Sequence, residues 1–235
     1  MFAPVLSLLF AASALAAPAL KIAGCSVAHK QLTVPTGQTQ LVVPSTTTPS
    51  FVGIGVGVQN YTCSAAGTFT NVGAVAELVD ISCADSSKYA SLTQSVFDLW
   101  QRAPESLTTQ KLIQDLSPID PIFKQPIILG QHFFVTNPIT GSGISPKWDF
   151  TSASLQGHSD AFVVGAKVGD IVAPSNSGTN IDWLMLNAAQ GNLASNVFRV
   201  ETRGGQPPAS CTPGSPDISV KYASQYWLFG GSFSH

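Results

Sequence analysis

The sequence predicts a mainly all-β fold, an antiparallel β-sandwich or barrel with one small helical insertion. Short apolar runs recur between turns rich in Gly and Pro, the pattern of many short strands. No alternation of strand and helix patterns suggests a parallel α/β sheet. The third observation is local. In Phe51-Val52-Gly53-Ile54-Gly55-Val56-Gly57-Val58, β-branched residues alternate with glycines, so one face of a strand is stacked with Val and Ile and the other is bare. Glycine is costly inside a strand, and three in one row mean that a second surface comes close to the bare face.

Taken in order, residues 1–17 read as a signal peptide: an apolar core from Val5 to Leu15 precedes the small-residue run Ala14-Leu15-Ala16-Ala17-Pro18. Residues 18–235 then form a single secreted domain. Residues 41–43 suggest a short first strand between turn-forming segments, and 51–59 the second. Residues 74–81 read as a mostly buried strand, although periodicity alone also allows a short helix. From 87 to 116 the period changes: Tyr89, Leu92, Val96, Leu99 and Trp100 fall at three-to-four spacing and Leu107, Leu112, Ile113 and Leu116 follow Pro104. One or two amphipathic helices inserted between strands and packed on the sheets fit that pattern. Strands resume at 127–135, 161–168, 181–186, 197–202 and 218–229. In 197–203, Phe198, Val200 and Thr202 share one face and Arg199, Glu201 and Arg203 the other, which predicts a strand with one wet side.

Composition limits the function. Charged residues make up 10% of the chain and the formal net charge is −2, so the electrostatic footing for nucleic acid is missing, and anionic membranes are disfavoured for the same reason. No segment after the signal is long and apolar enough to span a bilayer. The four cysteines, Cys25, Cys63, Cys83 and Cys211, lie beyond the expected cleavage point and read as two disulfides with three possible connectivities. Asn60-Tyr61-Thr62 is an acceptor pattern for N-glycosylation at Asn60. No cofactor is expected: Gly53-x-Gly55-x-Gly57 lies within a strand, lacks the G-x-G-x-x-G spacing, and no helix N-terminus follows to hold a pyrophosphate. No metal is expected either, because the cysteines lack C-x₂-C spacing and His132, His158, Asp149 and Asp160 match no compact ligand pattern.

Two readings of a site remain. His132 and Asp149 are candidates for general acid-base work in an extracellular hydrolase, since an imidazole titrates near neutrality; the plainer reading of His132 is a core histidine held by a backbone carbonyl. Alternatively, Gln59, Tyr61, His132, Trp148 and Asp149 mark a ligand-binding surface, on which Tyr61, Trp148, Trp183 and Tyr226 would stack a sugar ring. Trp183 is expected in the core because Ile181, Leu184 and Leu186 surround it in sequence. Glu77 and Asp80 are read as solvent or turn positions, and Arg199, Glu201 and Arg203 as a surface ion-pair ladder.

Several segments, in order, carry a resemblance: Gln59-Asn60-Tyr61-Thr62-Cys63, Gly130-x-His132-Phe133-Phe134, Pro146-x-Trp148-Asp149-Phe150, Asp182-Trp183-Leu184, Arg199-Val200-x-Thr202-x-Gly204-Gly205, Pro208-x-x-Cys211 and Tyr222-Ala223-x-x-Tyr226-x-x-Phe229. Over residues 38–229 the chain resembles an uncharacterised secreted family of fungi with bacterial members, known as a domain of unknown function. Its fungal members are often labelled malate dehydrogenase, a label for which this sequence shows no dinucleotide cradle. The resemblance implies a β-rich extracellular fold and the pairing Cys63–Cys211 with Cys25–Cys83. The expectation is a cell-wall-associated or small-ligand-binding β module whose partner is a wall polysaccharide or a small molecule, with the hydrolase as alternative.

Overall fold

The computed structural model describes residues 20–21, 23–109, 111 and 128–235. The expected signal segment and residues 110 and 112–116 of the expected helical insertion lie outside them. The described residues form ten strands: β1 Leu20–Lys21, β2 Pro49–Cys63, β3 Phe69–Asp80, β4 Ile128–Thr136, β5 Ile144–Asp149, β6 Phe162–Ile171, β7 Trp183–Gln190, β8 Asn196–Gly204, β9 Ile218–Phe229 and β10 Phe233–Ser234. Strands β2 to β9 follow one another around a closed barrel, and β9 pairs back onto β2. Every pairing in the barrel is antiparallel. Of the two all-β architectures expected, the barrel is the one formed, so its sheet has no open edge.

The glycine row of β2 explains much of the interior. Gly53, Gly55 and Gly57 face inward opposite Tyr226, Ser224 and Tyr222 of β9. A Cβ on Gly55 would stand 2.5 Å from Tyr226 Cε2, and one on Gly57 would stand 1.9 Å from the Val75 carbonyl oxygen. The bare face therefore gives room to a tyrosine ring and to the neighbouring strand, which is the close approach that glycine permits. The interior is filled by Phe51, Leu78, Leu129, Trp148, Val163, Leu186, Val197, Tyr226 and Leu228, and Phe150, Leu155, Leu193 and Phe233 plug one end.

The Val/Ile face of β2 points outward and is nonetheless dry. Helix α1, Tyr89–Arg102, places Tyr89, Leu92, Val96 and Trp100 on one side, and these pack over Val52, Ile54, Val56, Phe198, Val200 and Trp227. Each such side chain taken from water contributes about 1.5–3 kcal/mol. Trp100 Nε1 donates to the Gly57 carbonyl at 2.7 Å, and Gln225 Nε2 donates to Thr93 Oγ1 at 3.2 Å, fixing the helix to the wall. The helix is introduced by Asp85, whose side chain accepts from the Ser87 amide, and it stops at an extended Ala103 before Pro104, where the residue preceding proline avoids the helical region.

Two sequence expectations change. Residues 41–43 form no strand: Gln38 Oε1 accepts from the Leu41 amide at 2.7 Å and Gln38 Nε2 donates to its carbonyl at 3.0 Å, so a side chain replaces the ladder. Strand β5 was not anticipated, because Pro146 and Lys147 interrupt its apolar pattern. The disulfides are Cys25–Cys83 and Cys63–Cys211, the pairing that the resemblance implies.

Candidate ligand site at the mouth of the barrel

The plugged end of the barrel is built by the segments that join β5 to β6 and β7 to β8, together with the chain terminus. The other end is open. There the last turns of β2, β4, β6 and β8 meet the first of β3, β5, β7 and β9 around a cavity of about 360 Å³ lined by Gln59, Tyr61, Phe134, Pro146, Leu184 and Arg199, among others. Eight-stranded barrels have room to hold one small ligand in this position.

Each polar group of the mouth is placed by strand parity. Tyr61 is buried, and its hydroxyl donates to the Gly205 carbonyl at 2.7 Å; burial first of all raises its pKa, so it stays a neutral phenol. Gln59 is 2% exposed, and its Oε1 accepts from Asn71 Nδ2 at 3.2 Å. Gln59 Nε2 has no hydrogen-bond partner, although the amide lies close enough to the Tyr222 hydroxyl to favour its ionised form slightly. Nε2 and that hydroxyl do not meet the geometry of a hydrogen bond, and a buried donor left so is costly. Arg199 is half-buried and donates from Nε at 3.1 Å and from Nη2 at 2.9 Å to the carbonyl of Asp182. Lys167 is paired with Asp170 at 2.6 Å. Burial above all, and then Asp170, raise the pKa of Asp182, against the Arg199 charge and a bond from the Ala173 amide.

Beneath the mouth, His132 and Trp148 pack inside the barrel. Their rings stack with centroids 4.6 Å apart at 14°, and Tyr226 lies across both. His132 is 1% exposed, and Nδ1 lies 3.0 Å from the Lys147 carbonyl. A carbonyl only accepts, so Nδ1 carries the proton. Burial lowers the imidazole pKa to about 3; the ring is neutral at any ordinary pH. Trp148 Nε1 and Ser224 Oγ are buried without partners.

The sequence-predicted residues are thus divided among three places. Gln59 and Tyr61 meet at the mouth. His132, Trp148 and Tyr226 form the packed interior below it. Asp149 stands on the outer wall: Gln131 is its partner across β4, whereas His132 faces Trp148, and neighbouring register positions point to opposite sides of a sheet. Lys147 Nζ binds Asp149 Oδ2 at 2.7 Å, and Thr151 donates twice to Oδ1. Burial raises the Asp149 pKa, but the bonds from Lys147 and Thr151 outweigh it and hold it below the usual carboxylate range. His132 and Asp149 therefore do not converge. Trp183 is buried on the outer side with Val200 and Phe198, so the four expected aromatics do not form one platform.

Other residues depart from their sequence reading. Arg199 leaves the expected ion-pair ladder for the mouth, and only Arg203 and Glu201 pair, at 3.2 Å. Glu77 is buried and accepts from Gln131 Nε2 at 2.9 Å. Asp80, by contrast, keeps its reading as a turn position, accepting from the Ser82 amide and hydroxyl. Sequence reasoning missed Phe134, Leu184 and Arg199 as cavity residues. The signal available was the alternation in β8 up to Arg199, which lines the cavity; beyond a bulge after Val200, Arg203 binds Gln94 of the outer helix.

Comparison with curated proteins and with solved structures gives no match to either. A family model does match, over residues 44–230, and this span takes in all eight barrel strands, from β2 to β9. Barrel, mouth and the resemblance in sequence thus coincide, and the chain belongs to the family described as protein of unknown function (DUF3455).

Proposed function

We propose that this protein is an exported ligand-binding barrel, acting outside the cell or in the cell wall, whose mouth takes a small molecule or the end of a wall saccharide. The observation that carries the reading is the cavity of about 360 Å³ with the buried Gln59 in its lining, whose Nε2 makes no hydrogen bond. Binding sites are concave and mostly apolar, with a few fixed polar groups, and Phe134, Ile144, Pro146, Leu184 and Leu186 supply the apolar part. Ile139, Ile144, Val168 and Val172 are exposed on segments at the same end, so the entrance favours a ligand with an apolar body. Two disulfides support an oxidising compartment.

The test is an NMR screen of wild-type protein against small apolar acids, alcohols and short wall oligosaccharides, repeated with Leu184→Trp, which fills the cavity. Ligand-induced shifts at Tyr61, Phe134 and Gln59 that vanish in Leu184→Trp are the expected result. Shifts confined to the outer wall, or binding undiminished by the tryptophan, would overturn the reading.

A further inference from the structure

We infer that the occupant of the mouth is a monocarboxylate with a compact hydrocarbon body, its acid group held by Arg199 and Gln59. The inference rests on the mouth being the ligand site and deepens that reading by giving the ligand its charge. It follows from which hydrogen-bonding groups of the mouth are already used. Gln59 Oε1 is taken by Asn71, and Asn71 Oδ1 accepts from the Gly73 amide. Tyr61 has spent its proton on Gly205. Lys167 and Asp170 neutralise one another at the rim. Against burial, the Arg199 charge and the Ala173 amide favour the ionised form of the Asp182 carboxyl.

What remains free on Gln59 and Arg199 is donors, while the Gln206 side chain and the Asp182 carboxylate line the same cavity. Gln59 Nε2 makes no hydrogen bond, although the Tyr222 hydroxyl is near, and a primary amide cannot turn its N–H groups into acceptors while Oε1 is fixed by Asn71. Arg199 has only Nε and Nη2 engaged, both on one backbone carbonyl; Nη1 makes no hydrogen bond among the described residues. No carboxylate lies within ion-pair distance of this guanidinium among the described residues, although it is half-buried in the wall of the cavity. A neutral polyol brings as many donors as acceptors and would leave part of this set unmet. A carboxylate is acceptor-only and charged, and matches the planar guanidinium with bonds roughly twice as strong as neutral ones. The remaining walls, Phe134, Pro146, Leu184 and Leu186, are suited to a hydrocarbon body and offer it no polar partner.

Two isosteric probes separate charge from shape: trans-cinnamate and cinnamyl alcohol, titrated into wild-type protein and into Arg199→Gln, Arg199→Lys and Gln59→Met. The acid is expected to bind about tenfold or more tightly than the alcohol, the scale of one charge-assisted pair, and to shift the Arg199 Nε–H and Gln59 side-chain amide resonances. Arg199→Gln should remove that preference, Arg199→Lys keep part of it, and Gln59→Met weaken the acid alone. Should the arginine variants not fold, the wild type still decides, because acid affinity must fall with added salt while alcohol affinity does not. Equal affinities for the two probes would overturn the inference and leave the mouth as a neutral-ligand site. So would saccharides binding at the mouth where cinnamate does not. If no compound of any class shifts mouth residues, the mouth reading itself fails, which the wider screen reports separately.

Discussion

At the scale of single residues, the interior of this barrel depends on which side chains are absent as much as on those present. Gly57 gives way to the backbone of β3, which cannot retreat, whereas Gly55 gives way to the ring of Tyr226. His132 is the complementary case, a titratable ring sealed where its charged form is excluded. Burial lowers its pKa from 6.5 to about 3. The unfolded chain takes up that proton below about pH 6.5 while the folded one does not, so this residue's contribution to stability is level above that pH and falls as the pH drops towards 3. Between pH 7 and 4.5 the loss should be about 2–3 kcal/mol, at about 1.4 kcal/mol per pH unit below the unfolded pKa. His132→Gln keeps a donor for the Lys147 carbonyl and has no proton to gain. Unfolding free energies from urea titrations at the two pH values should therefore differ less in the variant by that amount. All carboxylates are common to both proteins and cancel; equal pH dependence would show that the ring is not excluded from protonation.

At the scale of elements, strand β2 shows how far a pattern can be read before pairing is known. The Gly and Val/Ile faces and the close approach to the bare face were legible, since a period of two assigns side chains to faces without any partner. Which face is the barrel interior was not, because both are buried: one by Tyr226, the other by α1. The same limit misplaced Arg199, which the alternation in β8 grouped with Glu201 and Arg203 on the surface, where only those two pair, instead of at the mouth. It also joined His132 to Asp149, which are close in sequence and one register step apart across β4 and β5. The parity of β2 leads to a further expectation. Asn60 lies on the outer side, half-exposed, with Oδ1 accepting from Ser219 Oγ at 2.8 Å. A glycan on Nδ2 would project away from the barrel, so expression through a eukaryotic secretory pathway should yield a species heavier by one N-glycan, removed by endoglycosidase and absent in Asn60→Gln. Intact-mass measurement decides; an unmodified wild type secreted by that route would show that the acceptor is not used.

At the scale of the whole molecule, seven of the eight barrel pairings join strands adjacent in sequence, and the eighth, β2 with β9, closes the ring. Closing a longer loop costs more chain entropy, with a logarithmic dependence on its length. The disulfide Cys63–Cys211 runs beside that seam, from the end of β2 to the segment before β9, with a sequence separation of 148. Cys25–Cys83 spans 58 and ties the N-terminal segment, with its buried Val27, to the turn after β3. Both bridges restrict the unfolded chain, but only the first removes the closure entropy of the barrel. On the loop-length relation, losing Cys63–Cys211 should cost about 5 kcal/mol and losing Cys25–Cys83 about 1 kcal/mol less. Replacing each pair by serine and measuring urea unfolding tests this. The Cys63→Ser/Cys211→Ser protein should have the lower stability of the two, and its refolding should slow most, because β9 must then find β2 without a tether. An equal or smaller loss at that bridge would mean that the denatured chain already holds the seam together.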